Sequence, residues 1–395
     1  MSEPTVKHIA IVLTADPSGG GKFQYSLSIL DAICLFDAQK YKISVVYEDD
    51  HWCEFIPKER CTVLKFRRSF LERVVRKGFL IIPFLGLKLW RNVGGFIFDL
   101  LRILRRIKPD IVLYPNNDSF VYESTLPGII PIFDLMHIYH PEFPEVSAEG
   151  TAGKRELHYT RVCHYARAIL VDSEVGRDHV IENYAIDEKK IYVLPYVAPP
   201  YVYEKNINTN VLLQYNLPDT FIFYPAQFWK HKNHIGLLRA LSILKQRGRE
   251  IHAVFVGSPK NAGEEVSELI KNLNLTNQVI NLKYVSNHEL VALYKKALAL
   301  VMPTFLGPTN IPQLEAFALG CPVITSNIYG IPEQVGNAVL LIDPYDPEDI
   351  ANKIEKLFDD GNLRQKLVNE GYKKDKEWNL DNFSHRIMSI ISELM

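Results

Sequence analysis

The sequence predicts two α/β domains, each a doubly wound, Rossmann-like parallel sheet. Three observations predict it. The chain has 395 residues, the length of two ordinary domains. Short β-branched or aromatic runs alternate with helical patterns through both halves. Between the halves, APPYVYEKNINTN (198–210) has paired prolines, several Asn residues and no apolar period, so it reads as a linker.

In the first half, HIAIVLT (8–14) reads as a buried strand. GGGKF opens a helical pattern, and KISVVYE is the next strand. A helix at 95–107, the strands DIVLYP and IIPIFD, a helix near 154–166, the strand AILVDS, a helix after Ser173 and the strand KIYVLPY follow. The second half repeats the theme with FIFYPA, HAVFVG, VINLKY, LALVMP, PVITS and AVLLID. Between them, SNHELVALYKKA opens with a capping box, Ser286 with Glu289. The last segment, EWNLDNFSHRIMSIISELM, reads as one amphipathic helix that packs back across the domain boundary. The expected organisation is 1–197, a linker at 198–210, 211–376, and a returning helix at 377–395. Two such domains face a cleft, and ligands of such sheets bind at the carboxyl ends of the strands.

Composition narrows the function. Formal net charge is −1, and no nucleic-acid motif appears, so the chain does not read as a polyanion binder. Its five cysteines form no CxxC pair, which suits reduced thiols in a cytosol. MSEPTVKHIAIVLT lacks a charged-then-apolar leader, so no signal peptide is expected. The longest apolar run, GFLIIPFLGLKLW, contains Pro83 and Lys88 and falls short of the ~20 residues that span a bilayer. A cytoplasmic protein is expected.

Four stretches carry chemistry. In MPTFLGPTNIPQLEAFALGCPVITSN (302–327), Pro312 suits the first helical turn and Gly320 the helix stop. The loop Gly307-Pro308-Thr309-Asn310-Ile311 is expected to deliver free backbone N–H groups to that helix entrance, an anion and hydroxyl site. Thr309 and Asn310 add side-chain donors. Glu315, one turn in, is placed to accept two vicinal hydroxyls, as a ribose presents them. The plainer reading is a connecting loop with an exposed glutamate. In FYPAQFWKHKNH (223–234), Lys230 and Lys232 stand at the entrance of a helix beginning near Asn233, where they suit a diphosphate or are simply solvated. Phe228 and Trp229 read as packing.

DPSGGGKFQYS (16–26) places Gly19, Gly20 and Gly21 between a strand and a helix. It matches neither a Walker loop nor GxGxxG, so close approach to a phosphate and a flexible turn stand equally. In FDLMHIYHPEF (133–143), Asp134 ends a strand, with His137 and His140 beyond it. His137 reads as functional and His140 as structural. Neither metal-ligand spacing nor an Asp-x-Asp triplet is present, so no metal is expected.

These four stretches, in this order, resemble the retaining nucleotide-sugar glycosyltransferases of the GT-B architecture. The resemblance is to the large family that includes bacterial mannosyl- and glucosyltransferases of surface polysaccharides. It runs over nearly the whole chain, strongest at 221–345 and clear at VDSEVGRDHVIENYAIDEKKIYVLPY (171–196). It implies a donor nucleotide on the C-terminal domain, an acceptor on the N-terminal one, and no cofactor beyond the nucleotide-sugar substrate. It further implies Lys232 on the donor diphosphate, and Glu315 on the ribose as the second glutamate of a Glu-seven-residues-Glu motif. Thr309, Asn310 and Ile311 would touch the transferred sugar and phosphate, with His137 near the sugar. Gly19, Gly20 and Gly21 would lie close to the diphosphate and acceptor. Two positions depart from the family pattern. The first glutamate of the motif falls at Gly307, and an arginine of the donor loop falls at Gln227.

The expected activity is retaining, metal-independent transfer of a hexose, mannose by family frequency, from a nucleoside-diphosphate sugar. The acceptor is a growing, lipid-linked saccharide in surface polysaccharide or lipopolysaccharide O-antigen synthesis. The alternatives are an inactive sugar-nucleotide-binding homologue, which Gly307 and Gln227 support, and a sugar-nucleotide epimerase. Residues 58–108 hold 14 Lys or Arg against Glu59, Glu72 and Asp99, mixed with Phe70, Phe79, Ile81, Ile82, Phe84, Leu85, Leu89 and Trp90. That mixture reads as a peripheral contact with an anionic membrane, or as a solvated face over a core helix.

Overall fold

The computed structural model describes residues 6–17, 20–68, 72, 85–204 and 210–395. Two compact units emerge. One comprises Met1–Phe133, Lys154–Pro195 and Leu380–Met395; the other comprises Asp134–Gly153 and Tyr196–Asn379.

The first unit is built on seven parallel strands, β1 (Lys7–Leu13), β2 (Tyr41–Tyr47), β3 (Thr62–Lys65), β4 (Ile111–Leu113), β5 (Gly128–Pro131), β6 (Ala168–Val171) and β7 (Ile191–Val193), in the order β3-β2-β1-β4-β5-β6-β7. Ile9 of β1 faces Ile43 on one side and Ile111 on the other. Central strands covered on both faces need apolar residues at every position, so β1 shows a continuous run rather than alternation. The edge strand β3 has no such run; only its intermediate burial marks it, and the sequence pattern passes over it.

The helix expected at 95–107 is two helices, Leu85–Ile97 and Asp99–Ile107, broken at Phe98 (φ −97°, ψ 137°). Phe98 turns inward to stack on Trp90, with ring centroids 4.3 Å apart. The final helix, Leu380–Leu394, belongs to this unit. It buries Phe383, Ile387, Ile390 and Ile391, and Ser384 Oγ donates to the Ala32 carbonyl at 2.7 Å. Each such apolar side chain contributes ~1.5–3 kcal/mol by leaving water.

The second unit has six parallel strands, β8 (Phe221–Pro225), β9 (His252–Val256), β10 (Val279–Asn281), β11 (Ala299–Met302), β12 (Val323–Ser326) and β13 (Val339–Ile342), in the order β10-β9-β8-β11-β12-β13. All six coincide with the apolar runs of the sequence. The capping box of Ser286 and Glu289 starts helix Asn287–Lys296.

Two segments sit where the sequence pattern does not place them. Asp134–Gly153 lies between β5 and β6 in the chain but packs with the second unit, where Met136 and Val146 join Leu306 in one apolar cluster. Of the linker stretch, Ala198, Tyr201 and Val202 are buried in the second unit's core, and 205–209 lie outside the described residues. Among the described residues, no helix is long and apolar enough to cross a membrane. All five cysteines are free thiols.

Candidate active site

The carboxyl edge of the second sheet gathers the predicted donor residues. β8 runs into a 3₁₀ turn at Lys230–Lys232, and Asn233 (φ 55°) caps helix His234–Gln246. Asn233 Oδ1 accepts from Gly236 N at 2.9 Å. Its Nδ2 donates to the carbonyls of Pro303 (3.0 Å) and Pro344 (2.8 Å), tying the start of this helix to the ends of β11 and β13. A Cβ at residue 236 would lie 2.6 Å from Asn233 Oδ1, so glycine there leaves room for the capping side chain. Lys232 is partly buried, and its Nζ donates to Asn310 Oδ1 at 3.3 Å. Burial lowers its pKa to about 8. Lys230 is exposed, and Gln227 Oε1 accepts from Trp229 Nε1 at 3.0 Å. Of the turn's two lysines, Lys232 is the one held against the loop.

Helix Pro312–Leu319 starts and stops as predicted, with Pro312 in its first turn and Gly320 (φ 70°) closing it. Thr309 and Asn310 are buried before it, and Ile311 is half-buried. The expected row of free N–H groups needs a correction. Asn310 N donates to Gln334 Oε1 at 3.0 Å, while its carbonyl accepts from Gln334 Nε2 at 2.8 Å. Gln334 thereby fixes the loop, and Asn310 Nδ2 is left buried without a partner among the described residues. Gly307 sits at φ 107°, where a Cβ would press to 3.0 Å from Asn310 Nδ2 and 3.2 Å from the Thr309 carbonyl. The backbone of this loop is therefore shaped for glycine, which accounts for the missing glutamate.

Glu315 is 6% exposed, not the solvated residue of the plainer reading. Tyr201 OH donates to its Oε1 at 2.5 Å, and Tyr294 OH to its Oε2 at 2.6 Å. Burial raises the Glu315 pKa, and the two hydroxyls draw it back. Each carboxylate oxygen keeps a further lone pair, so a diol can still be received. Both tyrosines escape a motif reading. Tyr201 lies in the linker stretch and Tyr294 reads as a core position; the tyrosine-rich PPYVY was the available signal.

His137 lies in the one-turn helix Met136–Tyr139 and is 5% exposed. His140 has a structural partner set, Glu142 at its Nδ1 (2.7 Å) and the Tyr329 hydroxyl at its Nε2. The same segment carries Glu145, whose Oε1 accepts from His231 N at 2.9 Å and from the His231 ring at 2.5 Å. Asn261 Nδ2 donates to Glu145 Oε2 at 2.7 Å. Burial pushes the Glu145 pKa up, but the His231 and Asn261 bonds outweigh it and leave it at about 2. Burial lowers that of His231, so the pair is a carboxylate beside a neutral ring protonated at Nδ1. Glu145 and Gln334 are single polar residues in the short helices Pro144–Ser147 and Ile331–Val335, and Asn261 lies in a turn, with no spacing to reveal them.

In the first unit, Gly20 (φ 61°) precedes helix Gly21–Cys34, with nothing within 4 Å of a Cβ built at Gly20. Gly19 lies outside the described residues. At the same sheet edge, Thr14 Oγ1 donates to Asp118 at 2.5 Å, and His158 Nε2 pairs with Asn117 Oδ1 at 3.0 Å. Among the described residues, no group of three or more His, Cys, Asp or Glu is disposed to hold a metal.

Two parallel Rossmann-like units, with a lysine turn and a buried glutamate on the carboxyl edge of the second, define the GT-B class of glycosyltransferase fold. Residues 213–374 match the family described as Glycosyl transferases group 1, so the second unit is a glycosyltransferase domain of that family. The chain is 23% identical over 308 residues to the serotype-specific mannosyltransferase WbdA of Escherichia coli, covering 74% of this chain and 38% of that protein. It is 29% identical over 222 residues to the O-antigen chain mannosyltransferase B of Escherichia coli, covering 55% and 58% respectively. The chain thus spans less than two thirds of either relative. Anabaena Alr3699/HepE, solved with UDP-glucose, superposes with a TM-score of 0.72 at 15% identity, over 98% of this chain and 99% of that one.

Proposed function

We propose that the protein transfers a hexose from a nucleoside-diphosphate sugar to a saccharide acceptor in polysaccharide biosynthesis, with retention of anomeric configuration and without a metal. The observation that carries this reading is the pairing of Lys232 with Asn310 on the loop that leads to the buried Glu315. A cation at one end and a carboxylate at the other match a diphosphate joined to a ribose. As the bond from sugar to phosphate breaks, negative charge grows on the leaving diphosphate. The Lys232 ammonium and the Asn310 loop stabilise it, which is the role a divalent ion fills in other sites. Glu315 holds the ribose diol, and His137 lies beside the transferred sugar.

WbdA and the O-antigen chain enzyme are mannosyltransferases, and HepE binds UDP-glucose, which supports a nucleotide-sugar donor. The acceptor is lipid-linked, and the protein works on the cytoplasmic face of a membrane. Support comes from helix Leu85–Ile97, where Leu89 and Phe96 are exposed and the Arg105 guanidinium stacks 3.7 Å from the Phe96 ring centre. Phe70, Phe79, Ile81, Ile82 and Phe84 lie outside the described residues. Co-sedimentation with phosphatidylglycerol vesicles at low salt checks this contact, and failure to sediment counts against it.

Incubation with GDP-mannose and UDP-glucose, with and without a polyprenyl-linked saccharide, tests the activity. An acceptor-dependent product with the donor's anomeric configuration by NMR is expected. An inverted product contradicts the mechanism. A changed nucleotide sugar formed without acceptor points to an epimerase, and binding without turnover points to an inactive homologue.

A further inference from the structure

The segment Asp134–Gly153 is seated on the loops that carry the donor residues, although it comes from the other half of the chain. Phe143 stacks on Phe305 with centroids 5.7 Å apart, and Met136 and Val146 pack on Leu306. One charged group of this segment enters the lysine turn. The Glu145 side chain is 7% exposed and spends both oxygens on the second unit's loops. One oxygen takes the His231 main chain and ring, and the other takes Asn261. Asn261 Oδ1 in turn accepts from Lys230 N at 3.0 Å. From the far side, the His231 carbonyl accepts from Phe305 N at 2.8 Å and from Thr304 Oγ1 at 3.1 Å.

The turn bearing Lys232 is therefore gripped on both sides. An ionised carboxylate accepting a main-chain N–H makes a charge-assisted bond, roughly twice as strong as a neutral one. A buried carboxylate stripped of these donors is costly, so the arrangement is stiff. Stiffness matters here because a lysine is a point charge on a flexible stem. It binds a diphosphate well only if the turn beneath it is fixed.

We propose that Glu145 is a positioning residue of the donor site, holding the His231 turn so that the neighbouring Lys232 meets the diphosphate. This rests on Lys232 being the diphosphate ligand. It predicts a functional bond between the segment that carries His137 and the turn that carries Lys232, so donor binding and the histidine's placement are set by one carboxylate.

The test separates the diphosphate contact from general folding. Calorimetric titration compares a nucleoside diphosphate with its parent nucleoside, using whichever of UDP, GDP, ADP and dTDP binds the native protein. The ratio of the two affinities isolates the phosphate contact. Glu145→Gln is expected to lower that ratio about tenfold while nucleoside affinity holds, and Asn261→Ala to lower it less. In Lys232→Ala the ratio falls, and adding Glu145→Gln lowers it no further, because both act through one contact. A native ratio in Glu145→Gln, or losses that simply multiply in the double variant, would overturn the positioning role. If Glu145→Gln does not fold, Asn261→Ala decides, and a native ratio there overturns the role. A native ratio in Lys232→Ala would instead overturn the lysine assignment, and the role of Glu145 with it.

Discussion

The Lys232 ammonium donates to the Asn310 side-chain oxygen at 3.3 Å, joining the turn after β8 to the loop after β11. This cation is displaced toward neutrality, since burial brings its pKa to about 8. Only the protonated form serves a diphosphate. Affinity for a nucleoside diphosphate is therefore full near pH 7 and falls as pH rises through about 8, while affinity for the parent nucleoside stays level. Titration calorimetry at pH 7 and pH 9 checks it. Lys232→Ala removes a charged hydrogen bond, worth ~1.5–3 kcal/mol, and should cost roughly 10- to 100-fold in diphosphate affinity without the pH limb.

Glu315 is satisfied by two buried hydroxyls, from Tyr201 and Tyr294. Their donation keeps the carboxylate available as an acceptor for a diol. Glu315→Gln should abolish the preference for a ribonucleotide over its 2′-deoxy counterpart. Tyr201→Phe leaves one oxygen of a buried carboxylate without its donor, at ~1–3 kcal/mol of stability. Denaturant melts and paired ribo/deoxy titrations measure the two effects.

At position 307 the backbone decides the residue. With φ at 107° and Asn310 Nδ2 3.0 Å from a built Cβ, Gly307→Glu does not restore a sugar-contacting carboxylate. It destabilises the loop by on the order of 1–3 kcal/mol and lowers turnover. Turnover above that of the native chain would contradict this.

The legible parts of the molecule were those written as continuous patterns. Twelve strands announced themselves as apolar runs, and Pro312, Gly320 and the Ser286–Glu289 box marked their helix ends. Edge strand β3 was not legible, because a half-solvated strand needs no apolar run. Lys232 could be named from its place on a strand-to-helix connection, and Glu315 from its place one turn into the helix that follows another. The partners that set their chemistry could not. Tyr201, Gln334 and Glu145 act through tertiary contacts across 114, 24 and 86 residues of chain, and local pattern carries no trace of such pairings.

Two histidines make the fold acid-sensitive. His234 is packed among Tyr224, Phe228 and Phe255, and burial, with Lys232 nearby, lowers its pKa to about 3. His158 in the first unit falls to about 4, through burial and then the Lys22 cation. Both titrate near 6.5 when unfolded, so the unfolded chain binds more protons as pH falls below 6.5. Each histidine should then cost ~1.4 kcal/mol of stability per pH unit, down to pH about 3 for His234 and about 4 for His158. His234→Phe should flatten that slope by about one proton between pH 6 and pH 4 in urea melts.

The proposed activity requires the second unit to bind a nucleoside-diphosphate sugar through Lys232 and the Asn310 loop. Thermal unfolding in EDTA, with UDP, GDP, ADP, dTDP and their glucose or mannose derivatives, measures this binding, because a ligand that binds only the folded state raises the midpoint. The expected result is a rise with one base that persists in EDTA, is larger for the diphosphate than for its nucleoside, and shrinks to the nucleoside's level in Lys232→Ala. No rise with any nucleotide, a rise that requires magnesium, or an undiminished rise in Lys232→Ala would contradict it.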